Sequence, residues 1–169
     1  MRLGAALFGM LLAGDIAYAA GEIAAGSVSG LPIPRFVSLK SDRVNVRAGP
    51  NKDQDVRWVY TKAGMPVEVT AEFENWRRIR DWEGAEGWVY HSLLSGKRTA
   101  VVSPSQASNL VPLLQSPDAK APEAAKLQPG VMGSIKSCDG QWCLFAGKNF
   151  SGYVQQDRLW GAYPKEKVE

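Results

Sequence analysis

The chain has 169 residues, 45% of them apolar and 22% charged, with a formal net charge of +3. This composition excludes a disordered-type charge excess and offers no strong basic field to attract nucleic acid. The length allows one ordinary domain or two very small ones.

Met1-Arg2 gives a short positive start, and Leu3 to Ala13 is almost wholly apolar (LGAALFGMLLA). Ala17-Tyr18-Ala19 then supplies the small-x-small pattern of a cleavage site, so residues 1–19 are expected to be a secretory signal peptide. The apolar run falls short of the roughly 20 residues a spanning helix needs. Asp15 stands where a lipidated signal would carry cysteine. No stable membrane anchor is therefore expected, and the mature chain is expected in the periplasm.

Residues 20–35 (AGEIAAGSVSGLPIPR) are small and rich in Gly and Pro, as a loose leader would be. A first unit is expected over 36–103. In it, Val67-Glu68-Val69-Thr70-Ala71-Glu72-Phe73 alternates apolar and polar, which puts Val67, Val69, Ala71 and Phe73 on one strand face. Glu74-Asn75 turns the chain, and Arg77 and Ile79 share a face on the return. Glu83 to Glu86 make another turn before a Gly87-Trp88-Val89-Tyr90 strand. Thr99 onward reads as a last strand, with a linker over 104–109. A second unit is expected over 110–164 and a tail over 165–169. Ala119 to Leu127 could form a short helical turn, limited by Pro122.

Cys138 and Cys143 flank Asp139-Gly140, a dipeptide that favours a tight turn between antiparallel strands. Facing cysteines on such a hairpin can bond in an oxidising compartment. Two free buried thiols fit the spacing as well. Zinc needs four ligands, which the one distant histidine, His91, cannot complete.

The two units are an internal repeat. VNVRAGP (44–50) aligns with VPLLQSP (111–117), Ala63-Gly64-Met65 with Pro129-Gly130-Val131, and Asn75 to Ile79 with Gln141 to Phe145. Glu86-Gly87-Trp88-Val89 aligns with Ser151-Gly152-Tyr153-Val154, and Ser92-Leu93 with Arg158-Leu159, at offsets of 65 to 67 throughout. Short alternating strands separated by turn residues make an all-β module. Closing each unit into a small barrel would remove exposed edges. With an offset of 66, Cys138 falls on Glu72 and Cys143 on Arg77. A Glu72–Arg77 ion pair is thus expected at the tip of the first hairpin where the second would carry a disulfide. An exposed ion pair contributes about 0–1 kcal/mol, and a disulfide closing so short a loop about 2 kcal/mol.

VNVRAGP, Trp58-Val59-Tyr60, Gly64-x-Pro66-Val67-Glu68-Val69, Asn75 to Arg80 and Glu86-Gly87-Trp88-Val89 together resemble the bacterial SH3 (SH3b) domain. Leu93 to Arg98, Trp142-Cys143 and Leu159-Trp160-Gly161 are similar to small exported SH3 domain proteins of proteobacteria. The resemblance covers most of 36–164. It departs at Gln54-Asp55-Val56, where such proteins often carry Tyr-Pro-Ile, and at Leu114, which stands in place of Arg47. It implies two tandem SH3-like barrels acting as targeting or binding modules, often on cell-wall peptides or beside wall hydrolases, with no shared catalytic group. Different ligands for the two units follow if positions 47 and 114 line a groove.

No catalytic constellation is evident. His91 follows a strand with no partner in the sequence to orient it as a base. The carboxylate pairs Glu72/Glu74 and Glu83/Glu86 lie in turns and on solvent faces, without the cleft a glycosidase needs. No metal site and no cofactor are expected. Arg77, Arg78 and Arg80 beside Trp76 and Trp82 could face nucleic acid, but export argues against that partner and alternating strand arginines usually face water.

The binding reading rests on aromatics. Trp58, Tyr60 and Trp82 lie near loops and could line a shallow peptide groove, with Arg47 and Asn51 placed to bind carboxylate or carbonyl. Capping of the core is the alternative role for these rings. The expected function is a non-catalytic periplasmic binding or adaptor protein that recognises peptidoglycan stem peptide or an envelope protein. The alternative is a regulatory or structural subunit of an envelope enzyme, and a hydrolase comes third.

Overall fold

The computed structural model describes residues 24–102 and 109–169. The expected signal peptide and its cleavage site lie outside the described residues. The described chain is all β, apart from two single 3-10 turns at His91–Leu93 and Gln156–Arg158.

A short hairpin of β1 (Ala24–Ala25) and β2 (Pro32–Ile33) precedes two larger sheets. The first contains β3 (Arg35–Leu39), β4 (Val44–Arg47), β5 (Val56–Tyr60), β6 (Pro66–Phe73), β7 (Trp76–Arg80), β8 (Glu86–Tyr90) and β9 (Leu94–Ser95), in the spatial order β5-β4-β8-β7-β6-β3-β9. The second contains β10 (Thr99–Val102), β11 (Val111–Leu114), β12 (Glu123–Leu127), β13 (Met132–Asp139), β14 (Trp142–Ala146), β15 (Ser151–Gln155), β16 (Leu159–Trp160) and β17 (Lys167–Val168). Its order is β12-β11-β15-β14-β13-β10-β16, with β17 paired to β13. Strand for strand this repeats the first sheet, as the sequence repeat requires.

The pairing moves several expected boundaries. Thr99–Val102, read as the last strand of the first unit, pairs with β13 and β16 and opens the second. Segment 104–109 therefore joins two strands of one sheet, and the link between units is Gly96 to Arg98 (residues 104–108 lie outside the described part). Glu123–Leu127, where a helical turn was possible, is a strand along β11. Among the described residues neither sheet closes into the expected barrel; each ladder ends on unpaired outer strands. In the first unit, half-buried Trp58, Trp82 and Leu94 close the core where no ladder does.

A β-bulge at the same place in both units decides what faces inward. Val69 pairs with Ile79 and Ala71 with Arg78, leaving Thr70 as the extra residue; Ile135 pairs with Phe145 and Ser137 with Leu144, leaving Lys136. One inserted residue reverses the side-chain alternation beyond it. Val67 and Val69 are fully buried as expected, but Phe73, expected on the same face, is 50% exposed. Glu72 and Cys138 turn inward instead.

The leader and tail are not loose in their described parts. The long strands β6 and β13 pair with β3 and β10 over one part of their length, which leaves the far ends of those edges free. In the second unit β17 covers the free end, pairing Val168 with Cys138 and Lys167 with Asp139. In the first, the loop at 26–31 covers it through Glu72. The backbone N–H groups of Val28 and Ser29 and the Ser29 hydroxyl donate to the Glu72 carboxylate. Both solutions hide edge groups that would otherwise invite pairing with another chain.

The units meet at an aromatic joint. Phe36 lies edge-on to Trp160 at 4.9 Å and against Tyr163 at 4.6 Å. Trp82 meets Trp160 at 6.3 Å, and Met132 of the second unit packs on the first unit's core. Polar clasps frame these rings. Tyr163 donates to Glu68 Oε1 at 2.8 Å, and Arg98 donates to both carboxylate oxygens of Glu166 at 2.7 and 2.9 Å.

Candidate functional site

The residues expected to bind ligand in the first unit are engaged in holding that unit together. Arg47 pairs opposite Trp88 at the end of β4 and donates through Nη1 to the Gln54 carbonyl at 2.7 Å. Asn51 Oδ1 accepts from the backbone N–H of Asp53 and Gln54, an Asx-type turn that shapes the same loop. Tyr60 is 8% exposed and donates to Asp81 Oδ2 at 2.7 Å. Burial first, and then that bond, raise its phenol far above the ordinary value. Asp81 Oδ1 in turn accepts from the N–H groups of Glu83 and Ala85. Trp58 stands edge-on to Tyr60 at 6.0 Å, so this pair is brought together. Trp82 is turned away into the joint against Trp160. Arg47 and Asn51 shape the loop before β5, whereas Trp58, Tyr60 and Trp82 pack on the core. His91 begins the 3-10 turn with its ring 5.1 Å from that of Tyr90.

The ion pair and the disulfide are both formed. Cys138 and Cys143 are bonded across directly paired positions, their Cα atoms 4.1 Å apart. Arg77 Nε lies 3.2 Å from Glu72 Oε1, and Arg35 Nη2 reaches the same oxygen at 2.8 Å. This pair is not exposed as expected: the Glu72 side chain has no solvent exposure and that of Arg77 only 9%. Burial alone would raise the Glu72 carboxyl, but the bonds from Ser29, Arg35 and Val28 outweigh it and hold it down at about 2. Arg78 pairs with Glu86 and Arg80 with Glu68. Of the three strand arginines, only Arg78 and Arg80 reach solvent.

Two concave surfaces of the second unit share Trp142, and sequence reasoning missed them. Both are bounded by Trp142 and Gln155, directly paired on β14 and β15. One, of about 260 Å³, is walled by Pro112, Leu114, Ala119 and Ala121, with the charged Glu123 and Arg158 also on its lining. The other, of about 350 Å³, is lined by Gln141, Gln156, Asp157 and Lys165 together with Gly140 and Pro164. The Asp139-Gly140 turn positions its rim: Asp139 Oδ1 accepts from the N–H of Gln141 and Trp142, and Gly140 takes φ +104, which suits glycine. Gln156 is 4% exposed and donates through Nε2 to the carbonyls of Tyr163 and Glu166. Those two bonds fix which amide atom is nitrogen and leave Oε1 with no protein partner among the described residues.

The first unit fills the equivalent place with its own side chain. Trp76, the counterpart of Trp142, pairs with Tyr90, whose ring lies edge-on to it at 5.4 Å, and Trp76 is only 8% exposed. In the second unit the residue across the ladder is Gln155, and Trp142 is half-exposed. The signal that could have found the site is this change from Tyr90 to Gln155 within the repeat, and not the richness of one unit in aromatics.

The chain matches the family model for the bacterial SH3 domain twice, over residues 40–96 and 107–161. Among solved structures it is similar to NlpC2 and NlpC1 from Trichomonas vaginalis, each at 13% identity and a TM-score of 0.32. The matches cover 75% and 79% of this chain, and it spans 48% of each of theirs. No curated protein matches the sequence.

Proposed function

The chain belongs to the bacterial SH3 domain family, with two copies in tandem, and from that premise we propose that it is an exported, non-catalytic binding protein of the cell envelope. Its ligand in this reading is the peptide part of the peptidoglycan wall. The observation that carries the reading is the double family match, because bacterial SH3 domains are chiefly wall-targeting and binding modules. Fold alone does not settle function, so the site must supply the rest. Two features support it. The Cys138–Cys143 bond suits an oxidising compartment outside the cytoplasm. The surface around Trp142 has the make-up of a ligand site, mostly apolar with a few placed polar groups.

Co-sedimentation of the purified protein with isolated sacculi tests the reading. Retention at physiological salt is the expected result. If the protein stays in the supernatant and one envelope protein co-purifies with it instead, it is a partner subunit and not a wall binder.

A further inference from the structure

Resting on that reading, we propose that the binding site lies in the second unit, in the paired grooves either side of Trp142, and that it takes a short extended peptide with small aliphatic side chains. Three observations converge there. The indole of Trp142 lies between two concave surfaces and is half-exposed. Its counterpart Trp76 is covered by Tyr90, so the repeat presents this surface open once and closed once. Gln155, at the ladder position where the first unit carries Tyr90, is exposed beside that indole. Its amide offers a ligand both a donor and an acceptor.

The lining selects the class of ligand. Pro112, Leu114, Ala119 and Ala121 give an open groove of about 260 Å³ apolar walls that suit aliphatic side chains, with Glu123 and Arg158 also lining it. On the other side, Gln141 and Gln155 are exposed and carry amide groups that both donate and accept, as a peptide main chain requires. Asp157 and Lys165 stand on that same side with opposite charges, suited to a ligand that carries both a free amine and a carboxylate. A glycan would need further flat aromatic faces to stack along its length, and Trp142 is the one ring lining either groove.

Two variants separate site from fold. Trp142→Ala removes the shared wall and weakens binding of soluble stem peptide at least about tenfold, as loss of an aromatic anchor does. Gln155→Tyr rebuilds on the second unit the cover seen on the first; it lowers affinity by a similar factor and leaves the thermal midpoint in place. Binding is read by calorimetry with stem peptides released from sacculi by an amidase, on the full mature protein. Sacculi stripped of their peptides are expected to lose retention. Unchanged affinity in Gln155→Tyr overturns the placement, and retention on the stripped glycan overturns the peptide class. Failure of the wild-type protein to bind intact sacculi or free peptide overturns the envelope reading and the assignment with it.

Discussion

The tips of the β6–β7 and β13–β14 hairpins occupy the same place in two copies of one sheet, yet different chemistry holds them. One carries the Glu72–Arg77 pair and the other the Cys138–Cys143 bond, at directly paired positions in each. Ranked by type alone, the covalent device is the stronger. The structure reverses that ranking. The bulge at Thr70 turns Glu72 inward, where it accepts from Arg35, two backbone N–H groups and a hydroxyl and forms an ion pair with Arg77 Nε at 3.2 Å. The disulfide joins neighbouring strands that the ladder already pairs. An ion pair that also anchors the leader integrates more of the chain than a staple across a tight turn does.

The largest expected effect breaks this comparison on the first unit's side. Glu72→Ala leaves Arg35 and Arg77 facing an apolar methyl, and unmaking a buried pair costs about 3 kcal/mol or more. Urea unfolding is expected to move by that amount, against a smaller change for the second unit's staple. Acid probes the same group. Its folded-state value of about 2 lies below its ordinary 4.5, so the stabilisation is fully present above pH 4.5 and is lost as pH falls toward 2. Glu166 adds a loss of the same sign at the joint. Burial opposes its charge, but Arg98 and the Tyr163 N–H hold its carboxyl below the ordinary range. Glu72→Gln is expected to flatten the stability profile of the first unit between pH 4.5 and 2 while leaving the Glu166 contribution visible. A profile identical to wild type would show that Glu72 is not the acid-sensitive group.

Next in size is reduction of the disulfide. Closing a loop this short restrains the unfolded chain by about 2 kcal/mol. Hydrogen exchange in dithiothreitol is expected to quicken roughly thirtyfold across β13–β15, with β6–β8 changed only a few-fold. Equal quickening of both sheets would mean that the joint makes them a single cooperative unit.

The repeat and the pairing of Glu72 with Arg77 and of Cys138 with Cys143 were legible in the sequence, because each rests on local alternation and a fixed offset. The inward turn of Glu72 was not. A bulge leaves no mark on an alternating pattern except the wrong parity beyond it, and Phe73 looked as good a core residue as Val69. The joint was illegible for another reason. Trp82 and Trp160 are 78 positions apart, in different copies of the repeat, and nothing local says that the two sheets will share a face. Hence Trp82 read as a ligand residue. Its edge-on contact with Trp160 and its packing on the first core now predict the reverse. Trp82→Ala should lower stability by about 1.5 kcal/mol, the worth of a half-buried aromatic in a ring pair, with retention on sacculi unchanged. Loss of retention at an unaltered thermal midpoint would return Trp82 to the binding surface.

The smallest effect tests whether the joint binds the two units as a pair of polar clasps or chiefly through its rings. Tyr163 belongs to the second unit, and its hydroxyl donates to Glu68 on β6 of the first at 2.8 Å. Glu68 is 5% exposed and is also held by Arg80 through Nε at 2.9 Å. Tyr163→Phe keeps the ring against Phe36 and deletes only this bond. Because Arg80 still pairs with the carboxylate, the loss is expected near 1 kcal/mol, below the usual range for a bond to a charged group. Alkaline pH offers an independent reading. Burial, then the bond to Glu68 and the charges of Glu68 and Glu166, raise the Tyr163 phenol well above its ordinary 10, with Arg98 opposing them. A raised value means the protonated form is favoured in the folded state, so the contribution is complete below pH 10 and fades as pH climbs above it. Tyr60, raised in the same way inside the first unit, gives a parallel loss that the Tyr163 variant keeps. The difference between wild type and Tyr163→Phe is thus expected to be constant from pH 6 to 9 and to shrink above 10. A difference that does not change with pH would assign the joint to its rings alone, with Phe36 and Trp160 carrying what the hydroxyl does not.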